Sequence, residues 1–413
     1  MAFANALKRN APLYFLALGA FAIGTEGFMI AGLLPVIAKD LSVSLATAGQ
    51  LITAFSFAYA ISSPILTTLS GSMNRRRLLL LALTCFTMAN FLAFAATGYW
   101  TLMGARILLA IASGLYMPSA NALAGSLVEP ERRGRALATV NGGITIAVAL
   151  GVPLGATIGN ALGWRMTFAG VGFLSAIVTL GVMIGLPRNI GANIPPATLS
   201  ERLAVARQPA VLLTLLTTML WAIGIWTIYP YLAPFLAHSA GIEGGQVGAV
   251  LLLYGICAGL GVFISGRAID RIGSRQVLIA SLLVLGLAYV SLTLCARFLG
   301  VQEARIPILV AISIWGIAGW SFNPAQQTKL IGIAGLKVAP ISLSLNASFI
   351  YLGFGFGAAL GSFILTVGSV DEIGWIGGLF EFAALALMLV ADRSRSAPAR
   401  VASALPRATA DPS

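Results

Sequence analysis

The sequence predicts an all-α integral membrane protein in which twelve transmembrane helices form two six-helix bundles, with both termini in the cytoplasm. Three observations predict it. The 413-residue chain is 58% hydrophobic and only 9% charged, against about 45–50% and about 25% in soluble domains, so its apolar excess must face lipid. The apolar runs are continuous and long enough to cross a bilayer as helices, whereas a membrane barrel would show alternating segments of about ten residues. The basic residues sort onto one side of the membrane.

A span needs roughly 20 mostly apolar residues. On that criterion spans 1 to 12 are predicted at 12–38, 46–70, 77–97, 99–126, 136–160, 166–187, 210–236, 246–266, 276–298, 306–328, 340–366 and 373–391. The first run begins at Pro12 and has no small-residue cleavage site after a short core, so it reads as a span and not a signal peptide. With the N terminus inside, twenty of the 25 Lys and Arg residues fall in cytoplasmic segments; Lys39, Arg165, Arg297 and Arg305 fall outside and Arg106 lies within a span. This asymmetry sets the orientation and fits a multi-pass protein of the bacterial inner membrane.

The net charge of +12 could suggest nucleic acid, but the basic residues are scattered between hydrophobic runs and share no face, so no nucleic-acid partner is expected. Cys85, Cys257 and Cys295 fall in apolar segments without metal or redox spacing and read as small buried hydrophobes.

Residues 188–208 form the longest polar interruption in the chain's interior and read as a cytoplasmic linker between a first bundle at 1–187 and a second at 209–391. Residues 392–413 are Ala, Pro, Ser and Arg with no periodic apolar face, and read as a disordered cytoplasmic tail.

Two halves of six spans are the mark of transporters that rock one repeat against the other around a central site. The loop after span 8, "GRAIDRIGSRQVL", carries G-x-x-x-D-R-x-G-x-R at Gly266, Asp270, Arg271, Gly273 and Arg275; the loop after span 2, "GSMNRRRLLLL", keeps Gly71 and an Arg cluster that includes Arg75 but has no Asp. This pattern resembles the signature of the major facilitator superfamily, in which the Asp and Arg act as a cytoplasmic latch between helices. Span 5, "NGGITIAVALGVPLGATIG", is similar to the G-x-x-x-G-P-x-x-G-G motif of the family's antiporters at Gly151, Pro153 and Gly155, with Val152 where the motif has Gly. Gly143, Ala147, Gly151, Gly155 and Gly159 recur every four residues, and Gly353, Gly357 and Gly361 repeat the spacing in span 11. Such faces let another helix approach closely, which is also their simplest reading. Across all twelve spans the chain resembles the drug/proton antiporter branch, nearest to arabinose-type sugar-efflux permeases and chloramphenicol exporters.

Ionisable groups at mid-span are costly and mark functional sites by default. There are three: Glu26, Arg106 and Glu381. Glu26 lies about 20 Å along the helix from Lys39, near the bilayer middle, and a carboxylate whose surroundings alternate between apolar and cationic can take up and release a proton. The alternative is a neutral Glu bonded to Thr25 or a neighbouring helix. Arg106 resembles the Arg of the family's span 4 motif R-x-x-x-G-x-x-x-G, which is implicated in proton movement; it matches with Gly114 but has Ala110 at the middle Gly. The alternative is an Arg snorkelling outward, since it lies only about two turns below Tyr99 and its side chain leans toward the helix N terminus; its depth differs from that of Glu26 by about 10 Å. Glu381, flanked by Phe380 and Phe382, reads as a protonated Glu held by a neighbouring helix.

Uncharged candidates for a substrate cavity are Asn121, Asn141, Trp226, Tyr229, Trp320, Asn323, Gln327 and Asn346. Trp320, Asn323 and Gln327 share one helix face, and an aromatic surface with amide partners suits a sugar, a nucleoside or a neutral drug. With no phosphate loop, nucleotide motif or metal cluster, no enzymatic activity, cofactor or metal is expected. The expected function is proton-coupled efflux of a small organic solute by a monomer, driven by the proton gradient. The rivals are an uncoupled facilitator of the same fold and a non-transporting membrane sensor or scaffold.

Overall fold

In a medium without water, the backbone of a long apolar stretch has no partner but itself, and a helix is the result. The structure, a computed structural model, describes residues 2–70, 73–129, 132–186, 198–335 and 338–403. Among these residues twelve helices are long and apolar enough to cross a membrane, and there is no strand. Spans 1 to 6 are Ala11–Asp40, Leu45–Leu69, Arg75–Phe94, Tyr99–Ser126, Arg133–Leu162 and Trp164–Gly185; spans 7 to 12 are Pro209–Ala240, Gly245–Ile272, Ser274–Phe298, Val301–Ala334, Ala339–Val367 and Glu372–Arg393. Each lies where the hydrophobic runs predict it. Several run longer than predicted, because a helix continues past its apolar core into polar ends.

An even number of crossings leaves both chain ends and the linker on one face, called here the terminal face; the other is the far face. The packing has a repeat of six. Span 2 packs on span 4, span 3 on spans 4 and 6, and span 1 on span 5; each contact recurs six spans later as 8 on 10, 9 on 10 and 12, and 7 on 11. The two bundles meet along spans 2 and 11 and along spans 5 and 8, with the far-face part of span 7 against span 1.

Two spans are locally irregular, each at a proline. Pro153 has no N–H to give the preceding turn, and span 5 widens into a π-helical turn over Ala147–Gly151 just before it. Span 7 tightens to a 3-10 turn over Tyr229–Tyr231, around Pro230. The reversal between spans 8 and 9 is made at Gly273 with φ 85°, a conformation open to glycine alone at little cost. That explains why the D-R-x-G-x-R pattern needs a glycine there.

The two glycine stripes close the seams inside the bundles. A Cβ at Gly143, Gly151 or Gly159 would run into Ala17, Thr25 or Leu33 of span 1, and one at Gly155 would stand 3.1 Å from Met29. In span 11, a Cβ at Gly353 would stand 2.6 Å from the Met219 carbonyl, and one at Gly361 would stand 2.6 Å from the Thr227 carbonyl, both on span 7.

One feature adds to the expectation and two differ from it. The linker contains a helix, Leu199–Ala206, begun by a capping box in which the Glu201 N–H donates to the Thr198 hydroxyl and the Glu201 carboxylate accepts from the Thr198 N–H at 2.7 Å. The last helix runs on to Ser403, into residues whose composition suggests an irregular tail; residues 404–413 of that expected tail lie outside the described residues. Cys85 is exposed on its span and not buried; a small apolar thiol is as well accommodated by lipid as by a core.

Candidate functional site

Glu26 of span 1 and Arg106 of span 4 have no exposed surface, and they meet: Arg106 Nη1 donates to Glu26 Oε1 in a buried ion pair. Close approach of span 5 through its glycine stripe fixes span 1 one residue away, at Thr25, and so sets where Glu26 points. The Arg106 guanidinium also lies 4.2 Å from the centre of the Phe55 ring of span 2, which adds a cation–π attraction to the pair. Arg106 therefore turns inward and does not snorkel. The contact closes the depth difference that their sequence positions suggest. The pair is only partly satisfied, for Glu26 Oε2 and Arg106 Nε and Nη2 have no hydrogen-bond partner among the described residues.

Beside the pair, rings from both bundles form one cluster. Phe28 of span 1 packs edge-on against Trp226 at 5.2 Å and Tyr229 at 6.0 Å, both in span 7, and lies 6.3 Å from Trp320 of span 10. Trp226 stacks on Phe354 of span 11 at 3.5 Å, and Tyr59 of span 2 stacks on Tyr351 of span 11 at 3.6 Å. A narrow gap between the bundles is lined by Phe28, Phe55, Ser56, Trp226, Tyr351 and Phe354. Chemically, this is a slot with flat apolar walls and a buried ion pair close behind it. Its walls present ring faces, and the pair behind it carries the charge.

Of the expected cavity residues, Trp226, Tyr229 and Trp320 join this cluster, and the Trp320 indole N–H donates to the Tyr254 hydroxyl at 3.0 Å. The amides lie elsewhere. Asn141 of span 5 donates to Asn121 of span 4 at 3.2 Å, and Gln327 donates to Asn323 within span 10 at 3.2 Å, in both cases in the halves of their spans nearer the terminal face. Asn346 is buried and accepts from the Thr218 hydroxyl at 2.8 Å, which itself accepts from Gln326 at 2.9 Å, tying spans 7, 10 and 11 inside the second bundle. Sequence reading passed over Phe28, Phe55, Tyr59, Tyr351 and Phe354. The signal available was their register: Phe28 lies two residues from Glu26, and Tyr351 and Phe354 lie on the first two turns beyond Asn346.

Gly151, Pro153 and Gly155 of the antiporter-like motif stand against span 1, as described. In the latch signature Gly71 lies outside the described residues, and Arg75 is buried at the start of span 3. Gly266 ends no seam, since a Cβ there would meet nothing within 4 Å. Arg275 Nε donates to Asp392 at 2.9 Å and Lys329 donates to its other oxygen at 2.8 Å, so this copy joins the ends of spans 9, 10 and 12 within one bundle. Asp270 and Arg271 are exposed on the last turn of span 8. Glu381 is fully buried, but neither of its oxygens has a hydrogen-bond partner among the described residues. It lies against Gly224 of span 7, and no described residue of a neighbouring helix donates to it.

The family model described as Major Facilitator Superfamily matches residues 16–224 and 211–411, one match on each half. Over 395 residues the chain is 33% identical to the inner membrane transport protein YdhP of Escherichia coli (strain K12), covering 96% of this chain and 99% of that one. It is 29% identical over 382 residues to a chloramphenicol resistance protein of Streptomyces lividans, covering 91% of this chain and 94% of that protein. Among solved structures, the bacterial homolog of the human lysosomal transporter Spinster aligns over 93% of this chain and 95% of its own, with a TM-score of 0.68 at 17% identity.

Proposed function

Because the chain belongs to the Major Facilitator Superfamily and is a multi-pass membrane transporter of that type, we propose that it exports a small organic solute in exchange for protons. The observation that carries this reading is the buried Glu26–Arg106 pair beside a ring-lined gap between the two bundles. The terminal face is assigned to the cytoplasm of a bacterium and the protein to its inner membrane, where the proton gradient supplies the energy and a single chain does the work. The resemblance to a chloramphenicol resistance protein supports efflux, and the ring-lined gap supports a solute with a flat apolar part, such as a neutral drug or nucleoside.

In this mechanism the solute enters the gap between Trp226, Tyr351 and Phe354. A proton arriving at Glu26 removes the negative charge that holds Arg106, and the guanidinium is freed to move with span 4. Loss of that proton restores the pair. The bundles rock along the seams of spans 2 with 11 and 5 with 8, opening the gap to one face at a time.

The direct test is proton-driven efflux in proteoliposomes, comparing the parent with Glu26→Gln. The variant is expected to equilibrate solute without concentrating it. Unchanged accumulation with the same dependence on the pH gradient would remove Glu26 from the coupling role.

A further inference from the structure

The linker helix Leu199–Ala206 does more than connect. Its Val205 is buried in an apolar cluster with Val211 and Leu215 of span 7 and Leu330 of span 10, so the helix is seated on the second bundle. One side chain leaves that seat. Arg202 is 8% exposed; its Nη1 donates to the Ser344 hydroxyl of span 11 at 2.8 Å, and its Nη2 donates to the Thr67 hydroxyl of span 2 at 3.3 Å. Thr67 gives its own proton to the Ser63 carbonyl at 2.7 Å, which leaves the oxygen to accept. The guanidinium thus joins the two bundles at the terminal-face end of the seam between spans 2 and 11.

The same seam is tied at its far end by different chemistry. Gln50 of span 2 donates to the Ser362 hydroxyl of span 11 at 2.9 Å, and Ser362 donates to the Ala46 carbonyl at 2.8 Å. A rocking motion along this seam cannot open either end without breaking the tie there. The far tie is made of neutral groups, whereas the terminal one uses a charge-assisted fork that only a planar guanidinium can direct at two helices at once.

We propose that Arg202 is a positioning residue of the transport cycle: a clasp from the inter-bundle linker that holds the terminal-face ends of spans 2 and 11 together and must release Thr67 for that face to open. This rests on the alternating-access reading above. Losing a hydrogen bond to a charged group should favour the open arrangement of that face by roughly tenfold or more.

The test uses the full chain in lipid nanodiscs, with Cys85, Cys257 and Cys295 replaced and nitroxide labels at Gly125→Cys of span 4 and Gly332→Cys of span 10, where an added Cβ meets nothing within 4 Å. Pulsed electron–electron distances then report how far the two bundles stand apart at the terminal face. Arg202→Gln and, as a second variant with little risk to folding, Thr67→Val should each move population toward longer distances. The double variant should add nothing further, and Arg202→Lys should fail to restore the parent distribution. Distances unchanged in both single variants, or effects that add in the double, would overturn the clasp. A distribution that responds to Arg202 and Thr67 as one unit, in a protein whose flux ignores the pH gradient, would support the clasp while removing the proton-coupled reading.

Discussion

The buried pair at Glu26 and Arg106 makes unequal demands on its two members, and replacing each by Met, alone and together, exposes the difference. Both side chains have no exposed surface, and no other described charge lies in either span at that depth. Glu26→Met leaves a guanidinium that cannot shed its proton, stranded with Phe55 as its remaining partner. Breaking a buried pair in this way costs about 3–5 kcal/mol. Arg106→Met leaves a carboxylate, which escapes the same penalty by binding a proton, so its cost is smaller and shrinks in acid. With both replaced by an apolar side chain of similar length, the penalty disappears, because well-packed apolar substitutes for buried pairs are neutral or stabilising by about 1–4 kcal/mol. Thermal unfolding of the purified protein, followed by tryptophan fluorescence at neutral and acid pH, reads all three. The expected order of stability is double variant, then Arg106→Met, then Glu26→Met. Additive losses in the double variant, or a harmless Glu26→Met, would refute the view that the pair is an isolated two-body charge site.

Trp226→Leu removes the face contact with Phe354 at 3.5 Å and the edge contact with Phe28 at 5.2 Å. If the solute takes over these surfaces at about 1 kcal/mol each, its affinity drops roughly thirtyfold, as measured by fluorescence titration with the solute that most stabilises the parent in a screen of sugars, nucleosides and antibiotics. Glu381→Met, which relieves a buried carboxyl with no hydrogen-bond partner among the described residues, is expected to raise thermal stability by about 1–3 kcal/mol with flux intact; a folded variant that loses proton dependence would instead assign Glu381 to coupling. In the linker, the Thr198 backbone N–H and then its hydroxyl hold the Glu201 carboxyl below the usual carboxylate range. A carboxyl with a lowered folded value contributes stability above its unfolded value and loses it as pH falls through the folded one. Amide protection of the linker helix should therefore be flat at neutral pH and fall only in acid, and Glu201→Gln should abolish that dependence.

Much of the architecture is written in composition, because lipid imposes one rule on every crossing: about twenty apolar residues, helical throughout. The same rule makes Glu26, Arg106 and Glu381 conspicuous, since each interrupts it. Their partners were not legible. Depth counted along separate helices leaves Glu26 and Arg106 about 10 Å apart, whereas the folded chain brings them together, and nothing local marks Glu381 as a carboxyl without a donor among the described residues. The ring cluster was half visible. Trp226 and Tyr229 stand out in span 7, but Tyr351 and Phe354 become neighbours of Phe28 only through the register between two bundles, which no single span encodes. The linker helix was legible and overlooked: Thr198 and Glu201 form the T-x-x-E signature of a helix start, and Arg202 follows one residue later.

Among the described residues, the helical glycines include two kinds of position. Along the stripes of spans 5 and 11 each hydrogen stands where a methyl would strike the neighbouring helix, so these positions are closed to change. At Gly104, Gly142, Gly170 and Gly259 a Cβ would meet nothing within 4 Å, and in a helix an alanine there trades idle backbone freedom for rigidity, commonly worth about 0.4–1 kcal/mol. Anyone hardening this protein for crystals or for screening therefore has a map drawn by its own seams: alanines belong on the helical glycines that touch nothing, while the two stripes and the positive-φ turns at Gly163, Gly241, Gly244, Gly273 and Gly335 are to be left bare.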